Sequence, residues 1–308
     1  MVTLKELTKE ELFAAGHRLC AGCGEGTINR MVLKALRGPT IVVSATGCTE
    51  VASTIYPFTA WQVSWVHVAF ENAASVASGI EAAYKAMARR GAWNKNVDVI
   101  AIAGDGGTYD IGLQALSGAL ERGHDFLYIC LDNEAYMNTG IQRSGATPHG
   151  AHTTTSPAGS VIPGKPEWKK DLIGICVAHG IEYAATACPA YWNDLITKVR
   201  KAIEVNGPAV IDILSPCPLG WRHDSALAIK VARLAVQTRY FPIYEFERGA
   251  YKLNFKVPQP KPVEELLKMQ GRFRHLFKPK HRKEILDEIQ QNVDANWNRI
   301  LKLCEQTQ

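Results

Sequence analysis

Residues Asn96–Gly140 read NVDVIAIAGDGGTYDIGLQALSGALERGHDFLYICLDNEAYMNTG, and this stretch decides the fold. Val97 to Ala103 is a short apolar run with β-branched residues, bounded by charge before and glycine after. Such a run predicts a buried parallel strand. The turn Gly104-Asp105-Gly106-Gly107 follows, then a helical pattern through Ile111, Leu113, Leu116 and Leu120 that stops at Gly123. Phe126 to Leu131 reads as the next buried strand and delivers Asp132 and Asn133 at its carboxyl end. A strand–helix–strand unit of this kind closes by a right-handed crossover. It puts Asp105 and Asn133 at the carboxyl ends of two strands, where open α/β sheets bind ligands.

A carboxylate and an amide oxygen are hard ligands, suited to Mg²⁺ carrying a diphosphate. Gly104, Gly106 and Gly107 allow backbone N–H groups to approach phosphate oxygens closely. Taken alone, a GDG turn is equally an ordinary strand–turn–helix corner. A dinucleotide fingerprint fits less well, because G-x-G-x-x-G needs a small residue where Tyr109 stands.

Outward from this unit, the α/β alternation continues in both directions. Thr40 to Ser44 is a strand that runs into Thr46-Gly47-Cys48, and Ala209 to Leu214 is a strand that ends in Ser215-Pro216-Cys217-Pro218. Before them lies a glycine-laced loop with Cys20 and Cys23, opening into a helix from Thr27 to Leu36. A lone C-x-x-C is ambiguous between a redox pair, half a zinc site and half an iron–sulfur site. Cys20, Cys23, Cys48 and Cys217 together supply four thiolates at the ligand-binding edge, enough for Zn²⁺ or a [4Fe–4S] cluster. A structural zinc site usually has a second tight pair, whereas Cys48 and Cys217 stand apart, so the cluster is preferred. Cys130, Cys176, Cys188 and Cys304 lie in apolar or helical surroundings and read as packing residues.

Further helices are expected over 1–15 (Thr8 as N-cap, Glu11 three residues on), from the small-residue stretch after 70 to Arg90, and over 168–179, 189–205 and 233–237. A strand is expected near 181–186. Glu71 reads as a helix N-terminal carboxylate in preference to a catalytic acid. Residues 141–165 form a long irregular connection of the kind that is functional or partner-covered. The expected fold class is therefore α/β: a mostly parallel sheet with helices on both faces, over residues 1–245. From 246 to 308 an extended and helical C-terminal arm is expected, packing on a partner.

With 308 residues and 46% apolar content the chain has enough material for a sizeable core. No apolar run reaches the roughly 18 residues of a membrane span, and MVTLKELTKEELF carries no signal core, so a cytoplasmic protein with no membrane association is expected. Residues 251–308 hold 12 Lys/Arg against 7 Asp/Glu, which accounts for the whole net charge of +5. This tail lacks Gly/Arg repeats and interleaved stacking aromatics, so a docking arm is favoured over a nucleic-acid site. Eight cysteines in such a chain argue for metal or redox work over disulfides.

The segments HRLCAGCGEG (17–26), SATGCTEV (44–51), HVAFENAASVASGIEAA (67–83), AGDGGTYDIGLQALSGALERGHDF (103–126), DNEAYMNTGIQRS (132–144) and SPCPLGW (215–221) together resemble the β subunit of pyruvate:ferredoxin oxidoreductase. More broadly, this is the separate-subunit 2-oxoacid:ferredoxin oxidoreductase family, and the resemblance runs from residue 16 to about 245. It implies a thiamine diphosphate (ThDP) fold in which Asp105, the Asn133 side chain and the Ala135 carbonyl ligate Mg²⁺. Asn138 matches a position facing thiazolium and substrate, and Cys20, Cys23, Cys48 and Cys217 match the ligands of a [4Fe–4S] cluster near ThDP. The implied reaction turns pyruvate, or another 2-oxoacid such as oxalate, into acyl-CoA and CO₂ with coenzyme A as co-substrate. Electrons pass singly through the cluster and on to ferredoxin. Implied partners are an α subunit supplying the ylid-forming glutamate, a ferredoxin-like subunit with further clusters and a γ-type subunit. A non-oxidative ThDP enzyme and a non-catalytic metal-binding subunit are the alternative readings.

Overall fold

A computed structural model of the chain describes residues 2–307. The elements in order are α1 (Gly24–Ala35), β1 (Thr40–Ala45), α2 (Cys48–Ser53), β2 (Ser64–Val68), α3 (Ala73–Arg89) and β3 (Asp98–Gly104). A π-helical turn over Gly106–Ile111 leads into α4 (Leu113–Glu121) and β4 (Leu127–Asp132). Then come α5 (Leu172–Val177), β5 (Tyr183–Ala187), α6 (Trp192–Glu204), β6 (Ala209–Leu214), α7 (Pro218–Trp221) and α8 (Ala228–Gln237). The hairpin β7 (Tyr244–Glu247) and β8 (Ala250–Leu253) precedes α9 (Val263–Lys268) and the long α10 (Lys283–Gln306).

All eight strands form one sheet in the order β2-β1-β3-β4-β6-β5-β7-β8; the first six are parallel, and β7 pairs antiparallel with both β5 and β8. Because successive strand residues point to opposite faces, each apolar run feeds two cores. Ile100, Ile102, Ile129, Leu131, Ile211 and Ile213 pack with Ile28 and Val32 of α1 and Leu195 and Val199 of α6. Ala101, Ala103, Tyr128, Cys130 and Val210 face the other way, with Ala73, Ala74 and Ala77 of α3, Leu116 of α4 and Ile173 of α5. The alanines of α3 let that helix settle closely on β3. Each fully buried large aliphatic side chain in these layers stabilises by about 1.5–3 kcal/mol. This is the doubly covered parallel sheet expected from the sequence. No helix among the described residues is long and apolar enough to cross a membrane.

Several local expectations are corrected. The helix expected over 1–15 is, among the described residues, only a short 3₁₀ turn at Leu4–Glu6. Thr8 Oγ1 does accept from Glu10 N at 3.1 Å, but Glu11 pairs instead with Arg30 (2.6 Å) and Lys34 (2.8 Å) of α1. Phe13 is buried edge-on against Trp61, ring centroids 5.0 Å apart. Tertiary anchoring outweighs a weak local propensity there. The helix expected over 168–179 begins only at Leu172, with Asp171 Oδ1 accepting from Gly174 N at 3.0 Å. Its first turn is lost because Lys169 and Lys170 are drawn to Asp132 and Asp110. Strand β2 was hidden in an aromatic-rich edge segment whose residues are mostly exposed.

Residue 246 lies inside β7, so the sheet continues past the boundary expected there. Arg248 (φ 48°) and Gly249 (φ 91°) make the tight turn that a hairpin of this twist needs. Beyond it, Ile285, Leu286, Ile289 and Val293 of α10 bury against Val263, Leu267 and Phe273, while Ile300 and Cys304 join the α3–α5 face.

Candidate active site

The carboxyl ends of β1, β3, β4 and β6 lie side by side, and each leads straight into a chemically pointed residue: Cys48, Asp105, Asn133 and Cys217. Gly104 pairs with Leu131 in the β3–β4 register, so the 28 positions between Asp105 and Asn133 collapse to neighbouring strand ends. Asp105 is wholly buried and accepts from Ser144 Oγ through Oδ2 at 2.5 Å, while its Oδ1 has no partner. Asn133 donates through Nδ2 to Glu25 Oε1 at 3.0 Å, while its Oδ1 likewise has no partner. Two unpartnered buried acceptors at adjacent strand ends are costly unless a cation or donor completes them. Burial pushes the Asp105 carboxyl up to about 7 despite the Ser144 hydrogen bond. The donor set, two hard oxygens lacking a counter-charge, fits Mg²⁺.

The crevice in front of this pair is lined by Gly104, Gly106, Ala135, Tyr136, Asn138, Cys48 and Glu25. A Cβ on Gly106 would lie 2.6 Å from the Tyr136 ring, and one on Gly107 would lie 2.9 Å from the Phe70 carbonyl. Tyr136 in turn stacks on Phe70 at 5.5 Å between centroids. Positions 106 and 107 therefore favour glycine by close approach, whereas a Cβ at Gly104 would meet nothing within 4 Å. The π-helical turn that follows is a departure from the regular helix the periodicity predicts, and such turns recur at functional sites.

The segments that carry the four cysteines are tied to one another. Gly24 N donates to the Pro216 carbonyl at 3.0 Å, tying the Cys20–Cys23 loop to the Cys217 loop. Arg18 N donates to the Ala52 carbonyl at 2.8 Å, tying the same loop to α2 and Cys48. A Cβ on Gly24 would meet Pro216 Cδ at 2.7 Å, and Gly22 (φ 76°) sits against the Ser225 backbone, so both glycines are set by close approach. Burial raises the Cys23, Cys48 and Cys217 thiols, with Glu25 and the neighbouring cysteines adding to it. Gly220 N donates to Cys217 Sγ at 3.3 Å, and Asn138, beside Cys48, works against the rise at that thiol. Among the described residues no three His, Cys, Asp or Glu side chains form a group that could hold a metal ion as they stand. Four thiols are the donor set that a soft metal centre or an iron–sulfur cluster takes. The remaining cysteines, Cys130, Cys176, Cys188 and Cys304, are buried in the core as expected.

Sequence reading missed the residues that hold this pair in place. Glu25 was passed over, although a charged residue on the buried stripe it shares with Ile28 and Val32 is a legible signal. Ser144 and Thr147 fix the other side: Thr147 Oγ1 donates to the Glu134 carbonyl at 2.6 Å. Arg272, from the segment expected to be a partner-packing arm, reaches the β4 exit and ion-pairs with Glu134. Its guanidinium lies 4.5 Å over the Trp221 ring, whose Nε1 donates to the Asn133 carbonyl at 2.7 Å. Glu71 precedes Asn72, which occupies the N-cap position of α3 without making a side-chain capping bond.

Residues 45–213 match the family model for the thiamine pyrophosphate enzyme, C-terminal TPP binding domain. Pyruvate synthase subunit PorB of Methanocaldococcus jannaschii is 54% identical over 94% of this chain and 96% of its own length. The PorB of Thermotoga maritima is 49% identical over 98% and 95%. Ketoisovalerate oxidoreductase subunit VorB of Pyrococcus furiosus is 49% identical over 96% and 94%. Among solved structures, 2-oxoglutarate:ferredoxin oxidoreductase from Magnetococcus marinus shares the fold at TM-score 0.56 and 20% identity, covering 92% of this chain and 94% of its own. The chain belongs to the thiamine pyrophosphate-binding PorB/VorB family, the 2-oxoacid:ferredoxin oxidoreductase β subunits that its motifs resemble.

Proposed function

We propose that this chain is the catalytic subunit of a cytoplasmic 2-oxoacid:ferredoxin oxidoreductase that converts pyruvate and coenzyme A to acetyl-CoA and CO₂ and delivers electrons to ferredoxin. One observation carries the reading: two buried, unpartnered ligand oxygens, on Asp105 and Asn133, stand at strand ends flanked by those of Cys48 and Cys217. Bound ThDP with Mg²⁺ supplies an electron sink for decarboxylation, and a [4Fe–4S] cluster supplies a one-electron acceptor.

The chain's own groups have distinct tasks. Asp105, Asn133 and the Ala135 carbonyl would hold Mg²⁺, with Ser144 orienting Asp105. Gly104, Gly106 and Gly107 would let the backbone approach the diphosphate. Asn138, lining the crevice together with Cys48, would position the substrate between the two centres. Cys20, Cys23, Cys48 and Cys217 would ligate the cluster. Glu25 has both oxygens engaged, by Asn133 and Thr49, so the ylid-forming glutamate would come from an α subunit. Tyr56 (94% exposed), Phe58 and Leu219 follow Cys48 and Cys217 along the chain and offer an apolar surface to such a partner. A ferredoxin-like subunit, a γ-type subunit and contacts from the outer face of residues 246–308 would complete the assembly.

Pyruvate is favoured by the PorB relatives. A branched-chain 2-oxoacid is the second reading, favoured by VorB at 49% identity. The deciding experiment is anaerobic purification of the complex with iron, sulfide and zinc analysis and an EPR spectrum after dithionite reduction. About four irons and four sulfides for the site on this chain, beyond those of the ferredoxin-like subunit, are expected for a cluster. Stoichiometric zinc without sulfide here would overturn the electron-transfer reading. Turnover of pyruvate against 2-oxoisovalerate then separates the two substrates.

A further inference from the structure

Glu25 stands two residues beyond Cys23 in the first turn of α1, and its residue is only 3% exposed. Its Oε1 accepts from Asn133 Nδ2 at 3.0 Å, and its Oε2 accepts from Thr49 Oγ1 at 2.6 Å. Thr49 Oγ1, beside Cys48, accepts in turn from Asn29 Nδ2 at 3.2 Å. With Glu25 as a carboxylate accepting at both oxygens, the chain runs one way: Asn29 donates to Thr49, and Thr49 and Asn133 both donate to Glu25. An amide facing an acceptor must present its NH₂, so Asn133 turns its Oδ1 away from Glu25. That oxygen is one of the two unpartnered acceptors of the cation site.

We propose that Glu25 is a positioning residue that sets the amide orientation of Asn133, and so ties the cysteine-bearing segments to the diphosphate-binding site. Ligating side chains depend on such outer partners for their orientation, and losing one typically costs ten- to a hundredfold in metal affinity. The inference rests on the reading of Asp105 and Asn133 as Mg²⁺ ligands. Glutamine at position 25 is the informative change. Its NH₂ facing Asn133 invites the amide to flip and turns Nδ2 toward the metal. Facing Thr49, it meets a hydroxyl that already accepts from Asn29 and strands the Thr49 proton.

The test is ThDP binding to the cofactor-depleted assembled complex, titrated with Mg²⁺ and followed calorimetrically, for wild type, Glu25→Gln, Asn133→Ala and the double variant. We expect Glu25→Gln to weaken ThDP binding about tenfold or more and to raise the half-saturating Mg²⁺ concentration. The double variant should bind no more weakly than Asn133→Ala alone, because both changes remove the same ligand. A role confined to folding would lower the bound stoichiometry and leave the Mg²⁺ midpoint in place, overturning the proposal. Losses that multiply in the double variant would overturn it too, since Glu25 would then act independently of Asn133. Thr49→Val, which keeps the Asn133 contact but frees the other end of the carboxylate, should move the midpoint the same way by a smaller factor. If Asn133→Ala itself leaves Mg²⁺-dependent binding untouched, the cation-site reading falls and this inference with it.

Discussion

Three consecutive residues leave β4, and they fare differently. Asp132 and Glu134 are completely buried and fully engaged: Lys169 pairs with both, Arg272 pairs with Glu134, and Tyr240 donates to Glu134 at 2.9 Å. Burial works against the Glu134 carboxylate, but Arg272 and Lys169 outweigh it and hold its pKa below the usual range. Glu134 even adopts a left-handed backbone (φ 66°), a conformation that surrounding contacts must enforce. Asn133, between them, is held on one side by Glu25 and left open on the other. The paired flanks anchor the turn, while Asn133 and Asp105 each keep one buried acceptor oxygen without a partner. That contrast is what the proposed cation site rests on.

The widest separation between the two kinds should come from Asp105→Ala. ThDP and Mg²⁺ binding and turnover of the assembled complex should be abolished while the cluster EPR signal persists. Melting of the cofactor-free protein should move little, because the carboxyl lost is the one burial penalises. Retained activity would sink the metal assignment. Next, Cys217→Ser should remove or convert the cluster on this chain, read as a fall of up to four irons and a lost or altered reduced-state signal. An unchanged iron count would remove Cys217 from the ligand set. On the paired flank, Arg272→Met should cost up to about 3 kcal/mol of stability, because Glu134 keeps only Lys169 and Tyr240 as partners, and this is seen as a lower denaturation midpoint before any cofactor is added. If it instead spared stability and lost only cofactor affinity, the contrast drawn here would be wrong.

The smallest effect concerns Lys165, buried behind this turn with its Nζ donating to the Thr147 carbonyl at 2.6 Å. Burial lowers its pKa from the usual 10.5 to about 8. Between those values the unfolded chain binds more protons than the folded one, so stability rises with pH there. The contribution is complete above about 10.5 and lost as pH falls through about 8. Lys165→Met should flatten the stability–pH curve in that window relative to wild type; identical slopes would show that Lys165 does not titrate there.

Much of the sheet was legible because its strands are short apolar runs bounded by glycine and charge. The adjacency of Asp105 and Asn133 followed from their places at the carboxyl ends of the two strands of one strand–helix–strand unit. Residues whose role depends on long-range contacts were not legible. Lys169 reads as one more helix residue until Asp132 draws it out of the helix, and Arg272 reads as part of a basic tail until it meets Glu134. Strand β2, with mostly exposed side chains, has too weak an alternation to stand out from an aromatic loop.

By itself, the sequence determined the parallel α/β sheet, the glycine turn with Asp105 and Asn133 at neighbouring strand ends, and cysteine-bearing segments at the same sheet edge. These depend on local periodicity and chain connectivity, which spacing encodes directly. The tertiary structure alone decided which buried polar atoms are satisfied. It pairs Asp132 and Glu134, turns the Asn133 amide against Glu25, and leaves Asp105 Oδ1 and Asn133 Oδ1 open. Hydrogen-bond partners separated by 108 positions, as Glu25 and Asn133 are, meet only when the sheet and α1 are packed together, so no local rule foretells them.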